Sequence, residues 1–377
     1  MYRTLGSIGR VLKFGLGGLG AGAIALALVA CAPTASNQSD SNNTATGGIS
    51  DNDAAGSDAA GNKAVVEDKA VGENQTAGGD GKLQVVTTFL PMTQFTQAVA
   101  GSCAEVSQIL PSNVSPHDYQ AKPTDAQRIA QADVLVQNGL ELESFLEPMI
   151  ENAGNPDLKI IEASAGLDLI AMAEEGHDHG HEEGHEEGHD HGHEEGHSHD
   201  HGEFDPHVWL DPQRAAAQVN VIRDGLIAAA PDCQTEFTAN AAAYTDQLNA
   251  LDEEIQQTLA PFAGKTFVTY HDFANYFAAR YGLEVDFLVG VPEENPSPED
   301  VKRVIETANS SELKTLLAES EVAARPFQAL ANDLGVEVST FRPNETAGAD
   351  GLAPDYYLTV MRENVANLAA AFGAQAE

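Results

Sequence analysis

The sequence predicts an α/β protein of two lobes joined by one long helix. Two patterns carry that expectation. Short β-branched, apolar runs alternate with helical stretches between residues 83 and 152 and again from residue 264 onward, which is how βαβ units with parallel sheets read. Between them Phe237, Ala241, Tyr244, Leu248, Leu251, Ile255, Leu259 and Phe262 recur at spacings of four and three, the stripe of a single helix. Roughly 26 residues of helix span about 39 Å. Such a rod outreaches a small domain and is expected to be the backbone between lobes.

Taken in order, the chain of 377 residues opens with Arg3, Arg10 and Lys13 before an apolar run from Phe14 to Ala30. A basic stretch followed by a short apolar one reads as an export signal over residues 1–30. Its end, Leu28-Val29-Ala30-Cys31, resembles the lipobox of bacterial lipoproteins. That resemblance implies a lipidated Cys31, a membrane anchor and a periplasmic or cell-surface location. Residues 31–82 are dominated by Ala, Ser, Asn, Asp, Gly and Thr and are expected to form a flexible tether.

The first lobe is expected over residues 83–232. Strands are predicted at Leu83–Phe89, Glu105–Leu110 and Asp133–Gln137 from their apolar, β-branched character. Helices are predicted at Pro91–Gly101, at Asp125–Ala132 behind a capping Thr124, at Glu141–Asn152 and at Pro212–Ala230. His117 falls in a loop after a strand, where open α/β sheets place their ligands. The linking helix is expected within residues 233–263, closed by Gly264. The second lobe, residues 264–377, begins with a strand over Lys265–Tyr270 and His271 at its end. Asp272 is expected to open the next helix and Gly282 to close it. Ser297-Pro298-Glu299-Asp300 is a helix start signal. Apolar stretches at 313–317 and 336–341 flank a helix at 325–334, and Asp355–Phe372 is the closing helix.

Residues 177–201 interrupt this regular pattern. These 25 positions hold ten His, nine Asp or Glu, five Gly and one Ser, so the segment has no apolar face to bury. His177, His179, His181, His185, His189, His191, His193, His197, His199 and His201 form a metal-gathering tract suited to zinc, copper or nickel. They are expected to hold ions more weakly than a site the fold has already positioned, because each ion must order the loop. Of 13 His in the chain, only His117, His207 and His271 lie outside the tract. Three is the number of protein ligands in a zinc site that keeps an open position.

Charge narrows the classes further. The chain carries 58 acidic and 19 basic side chains, a formal net charge of −39. That excludes nucleic acid as a partner, since phosphates demand a basic surface, and it suits attraction of cations. Cys103 and Cys233 are a candidate disulfide, because thiols rarely stay reduced outside the cytoplasm. The alternative is two buried side chains too far apart to bond.

Several motifs then fall in a telling order. They are Ala98-Val99-Ala100-Gly101, Pro116-His117-Asp118-Tyr119, Ala132-Asp133-Val134-Leu135, Asp205-Pro206-His207-Val208-Trp209-Leu210-Asp211-Pro212, and His271-Asp272 through Tyr281-Gly282. Over residues 83–377 the chain resembles the zinc-uptake ABC-transporter solute-binding lipoproteins, the ZnuA-like group of the TroA fold. The resemblance implies two α/β lobes with a metal site in the cleft between them, Zn²⁺ as the ion, and His117, His207 and His271 as ligands. It also implies a monomer that serves a membrane permease and its ATPase subunit. His271 stands where manganese-binding members carry a carboxylate, and imidazole nitrogen suits zinc. Where the family supplies an Asp-Pro element, this chain has Arg342-Pro343, and Arg cannot ligate a cation. The fourth position is therefore left to water, Glu345 or Asp350.

Two other classes fit three histidines. One is a secreted zinc hydrolase, against which stands the lack of an HExxH motif at His117, His207 or His271; the pattern occurs only inside the apolar-free tract, as at His181–His185. The other is a periplasmic metal buffer or adhesin. Neither would be an importer component. The resemblance favours a binding protein over an enzyme.

Overall fold

The computed structural model describes residues 81–172, 202–290, 296–319 and 324–373. Cys31, the export signal, all but the end of the tether and the ten tract histidines lie outside the described residues. The chain from residue 73 onward forms one unit, and it contains two four-stranded parallel sheets.

The first sheet is built from β1 (Leu83–Thr87), β2 (Ala104–Gln108), β3 (Val134–Gln137) and β4 (Lys159–Glu162), in the order β2-β1-β3-β4. Helices α1 (Leu90–Ala100), α2 (Pro123–Ala130) and α3 (Leu146–Ala153) connect its strands. Helix α4 (Pro212–Ala229) leads into α5 (Gln234–Leu259), whose 26 residues bury Phe237, Ala241, Tyr244, Leu248, Leu251, Ile255 and Leu259 along one face. The second sheet repeats the first topology. Strands β5 (Thr266–His271), β6 (Glu284–Val289), β7 (Thr315–Ala318) and β8 (Glu337–Thr340) run in the order β6-β5-β7-β8, with α6 (Asn275–Tyr281), α7 (Pro298–Ser310) and α8 (Ala324–Leu334) between them. Helix α9 (Tyr356–Ala371) ends the described chain and sets Tyr357 edge-on against Phe95 of α1.

In each sheet the first strand lies between the second and the third, so connections leave it in both directions. That creates a switch point at the carboxyl ends of the strands, where such sheets hold ligands. One hydrophobic core joins the two sheets: Val85 and Leu135, Leu226 and Leu248, then Phe267, Phe277 and Phe341 belong to a single buried cluster.

Several elements depart from expectation. Strands β4 and β6 were not predicted, and both lie at sheet edges. Thr124 does not cap α2. That helix begins at Pro123, and the Asp125 carboxylate accepts from the Lys122 N–H at 2.9 Å and from the Tyr119 hydroxyl. Helix α3 starts at Leu146 because Leu140 and Glu141 are left-handed, with φ of 59° and 63°. The turn instead wraps around Glu143, which accepts from the N–H groups of Asn138 and Gly139 at 2.7 and 3.1 Å. Asp272 does not open α6, which begins at Asn275 with Ala274 as its cap. Gly282 does close it, in the left-handed conformation at φ 67°. Ser297 and Asp300 form the expected reciprocal cap of α7.

Cys103 and Cys233 are joined by a disulfide, with Cα atoms 6.2 Å apart. It ties the turn after α1 to the residue preceding α5.

Candidate metal centre

His117, His207, His271 and Glu345 converge, each offering one ligand atom, with these atoms within 4.8 Å of one another. Each arrives from a different part of the chain. His117 sits in a single 3₁₀ turn, Pro116–Asp118, in the loop after β2, and the Ser115 hydroxyl caps that turn by accepting from the His117 N–H. His207 immediately precedes the turn Val208–Leu210, which leads through Asp211 into α4. His271 is the last residue of β5, and Glu345 lies in the loop after β8.

Four of the six separations among these donor atoms match the edges of a tetrahedral zinc shell. His117 Nε2 lies 3.3 Å from His207 Nε2 and 3.3 Å from Glu345 Oε1. His207 Nε2 lies 3.4 Å from His271 Nε2 and 3.1 Å from Glu345 Oε1. Ligand bonds of zinc length in a tetrahedral shell put neighbouring donor atoms about 3.3 Å apart. All four separations fall close to that edge.

Carboxylates behind two of the rings fix their orientation. His207 Nδ1 lies 2.7 Å from Asp205 Oδ1, which also accepts from the His207 backbone N–H at 2.9 Å. His271 Nδ1 lies 2.5 Å from Glu319 Oε1. With Nδ1 as the donor, each Nε2 lone pair faces the centre. Asn275 holds the other oxygen of Asp205 at 3.2 Å, and Tyr276 donates to the Asp205 carbonyl at 2.9 Å. Trp209 and Phe273, both fully buried, pack against the imidazoles. His207 and His271 are themselves completely buried.

This burial sets strong electrostatics. It pulls the His207 imidazole down, but Asp205 and then Glu345 override it and raise the pKa to about 10. His271 is likewise raised, by Glu319 and Glu345 against burial. Burial pushes the Glu345 carboxyl up, yet His117 and His207 hold it well below the usual carboxylate range. The centre therefore favours a carboxylate among imidazoles that a cation or a proton can occupy.

Of the two carboxylates left open by the sequence, Glu345 enters the cluster and Asp350 remains exposed. Arg342 stays out of it. Its guanidinium pairs with Glu363, and its backbone N–H and C=O are both bonded to the Asn364 side chain, at 2.8 and 2.7 Å. Next to it, the Pro343 carbonyl accepts from Trp209 Nε1 at 2.7 Å. These bonds tether the start of the loop that presents Glu345. The supporting roles of Asp205 and Glu319 were not read from the sequence. Glu319 carried one signal, its place directly after an apolar strand neighbouring β5.

Comparison with known proteins agrees with this architecture. The chain is 35% identical over 291 residues to the zinc-binding lipoprotein AdcA of Streptococcus pneumoniae serotype 4, covering 76% of this chain and 55% of that protein. It thus spans just over half the length of that relative. It is 29% identical to the manganese-binding lipoprotein MntA of Halalkalibacterium halodurans, over 79% of this chain and 90% of that one. Among solved structures it superposes on Zn(II)-bound AdcA from Streptococcus pneumoniae with a TM-score of 0.63 and 29% identity, covering 79% of this chain and 59% of the other. The profile of the ZnuA family, described as zinc-uptake complex component A, periplasmic, matches residues 85–371. With that match spanning both sheets and all four converging residues, the chain belongs to the ZnuA family.

Proposed function

We propose that this protein is the extracytoplasmic zinc-binding component of an ABC importer, which captures Zn²⁺ at His117, His207, His271 and Glu345 and delivers it to a membrane permease driven by an ATPase subunit. Residues 83–232 and 264–377 are its lobes, and Cys31 is its lipid anchor. The observation that carries the reading is the set of tetrahedral-edge separations among three imidazole nitrogens and one carboxylate oxygen. Three nitrogens in four donors favour zinc over manganese, the ion named for the Halalkalibacterium relative. Four protein donors fill a tetrahedral shell, whereas a hydrolase keeps a position open for water. That supports capture over catalysis. The ten histidines of residues 177–201 serve as weaker, auxiliary sites that concentrate zinc.

Competition binding of Zn²⁺, Mn²⁺ and Cu²⁺ tests the reading on a chain lacking residues 177–201. One tight zinc per chain is expected, with stoichiometry above one when the tract is restored. Alanine at any of the three histidines or at Glu345 should weaken the site by more than the roughly 10–100-fold that loss of a supporting outer group costs. Wild-type affinity in all four variants would refute the assignment.

A further inference from the structure

The Glu345 carboxylate presents its two oxygens unequally. Oε1 faces the centre, 3.3 Å from His117 Nε2 and 3.1 Å from His207 Nε2. Oε2 accepts from the Ser115 hydroxyl at 3.4 Å. The same hydroxyl oxygen accepts from the His117 backbone N–H at 3.3 Å, closing the turn that carries that imidazole. One side chain therefore touches two metal donors at once, one from the first lobe and one from the second. A further bond, from the Ala347 N–H to the Ser112 carbonyl at 2.7 Å, holds the two loops together alongside it. Asn344, at φ 65°, turns the chain just before Glu345.

From this we infer that Ser115 is a specificity-determining residue: its hydroxyl holds Glu345 Oε2 aside, so that the carboxylate gives the ion a single oxygen. The inference rests on the proposed zinc site and goes beyond it to the choice of ion. A carboxylate free to rock inward can bind through both oxygens. That raises the coordination number and suits larger, harder cations, which take more oxygen ligands and accept bidentate carboxylates. A carboxylate restrained to one oxygen leaves a four-coordinate shell, which suits zinc. Ser115 does not contact the ion. It acts through the carboxylate and through the capped turn beneath His117.

The test uses the full chain with Ser115→Ala and Ser115→Thr. Sub-stoichiometric Co²⁺ reports coordination number through the intensity of its visible bands, which are strong for four-coordinate cobalt and weaker for five or six ligands. Wild type and S115T should show the strong bands, and S115A the weaker ones. In competition titrations the ratio of Zn²⁺ to Mn²⁺ affinity should fall about tenfold in S115A, the scale expected for loss of an outer-shell partner, and be restored in S115T. Thermal unfolding of the metal-free chains checks that S115A is folded. An unchanged cobalt spectrum and Zn²⁺ to Mn²⁺ ratio in folded S115A would overturn the inference, as would an equal loss of both affinities. Failure of S115T to restore them would also count against it. Failure of the wild-type chain to bind zinc at all would instead overturn the proposed function.

Discussion

His207 shows how much of the site's behaviour resides in one side chain. Its pKa of about 10 is set by Asp205 and Glu345 overcoming burial, so at pH 7 the metal-free ring carries a proton that zinc must displace. Zinc binding at neutral pH should therefore release at least about one proton, and affinity should rise with pH. Calorimetry in buffers of different ionisation enthalpy measures this directly; zero release would contradict it. Because this folded-state pKa lies above the ordinary value of about 6.5, the ring's contribution to metal-free stability is full below that value. It fades as pH climbs towards 10, a decline the zinc-loaded protein should not share. Asn344 makes a second residue-scale case. Its backbone is left-handed at φ 65°, and its buried amide has no partner among the described residues. Asn344→Gly keeps that backbone accessible and should preserve zinc affinity. Asn344→Val adds a β-branched side chain where the conformation costs about 1–2 kcal/mol or more, and should lower both stability and affinity. Equal behaviour of the two variants in unfolding and zinc titrations would discard the idea that the turn aims Glu345.

At the scale of elements, the disulfide yields a prediction separable from the site. It closes a span of 130 residues, for which the chain-entropy account gives about 4–5 kcal/mol before any strain. Replacing both cysteines by serine should lower stability by up to that amount and leave zinc affinity within about twofold, since no candidate ligand lies on the joined segments. A denaturant titration beside a zinc titration tests both halves, and a large loss of affinity would reveal coupling absent from this account. The same scale explains what the sequence made legible. Helix α5 was readable because 26 residues repeat one buried face, and β1, β3 and β5 because each carries a run of buried, β-branched or apolar residues. β4 offers a single buried residue, Ile161, between charged ends, and β6 opens with the exposed Glu284. Those charges break up the apolar signal, whereas the edge strands β2 and β8 stood out because they run on into Ile109-Leu110 and Phe341. The histidines were legible because just three lie outside the tract. Glu319 carried only its place directly after the apolar strand β7, too weak a mark among 58 acidic side chains; the pairing of β5 with β7 is what brings it to His271.

At the scale of the whole molecule, one core runs without a break from the first sheet through α4 and α5 into the second, whose other face packs on α7 and α8 as a separate buried cluster. Two lobes sharing packed side chains this way cannot swing apart without opening that core, whose residues tolerate little volume change. Zinc capture should therefore proceed by local rearrangement around the Glu345 loop, and not by a wide hinge movement. Small-angle scattering of metal-free and zinc-loaded protein lacking residues 177–201 should give superimposable profiles. A clear contraction on loading would mean the lobes are hinged after all. Thermal unfolding gives a second view of the same property. With a common core the lobes should melt in one transition, its calorimetric enthalpy matching the van't Hoff value. Zinc at a thousandfold excess over its dissociation constant should stabilise the folded chain by about 4 kcal/mol while leaving the transition single. A lower transition that ignores zinc and a higher one that responds to it would assign the four ligands to one lobe alone. That result would contradict an architecture in which His117 and His271 come from opposite sheets.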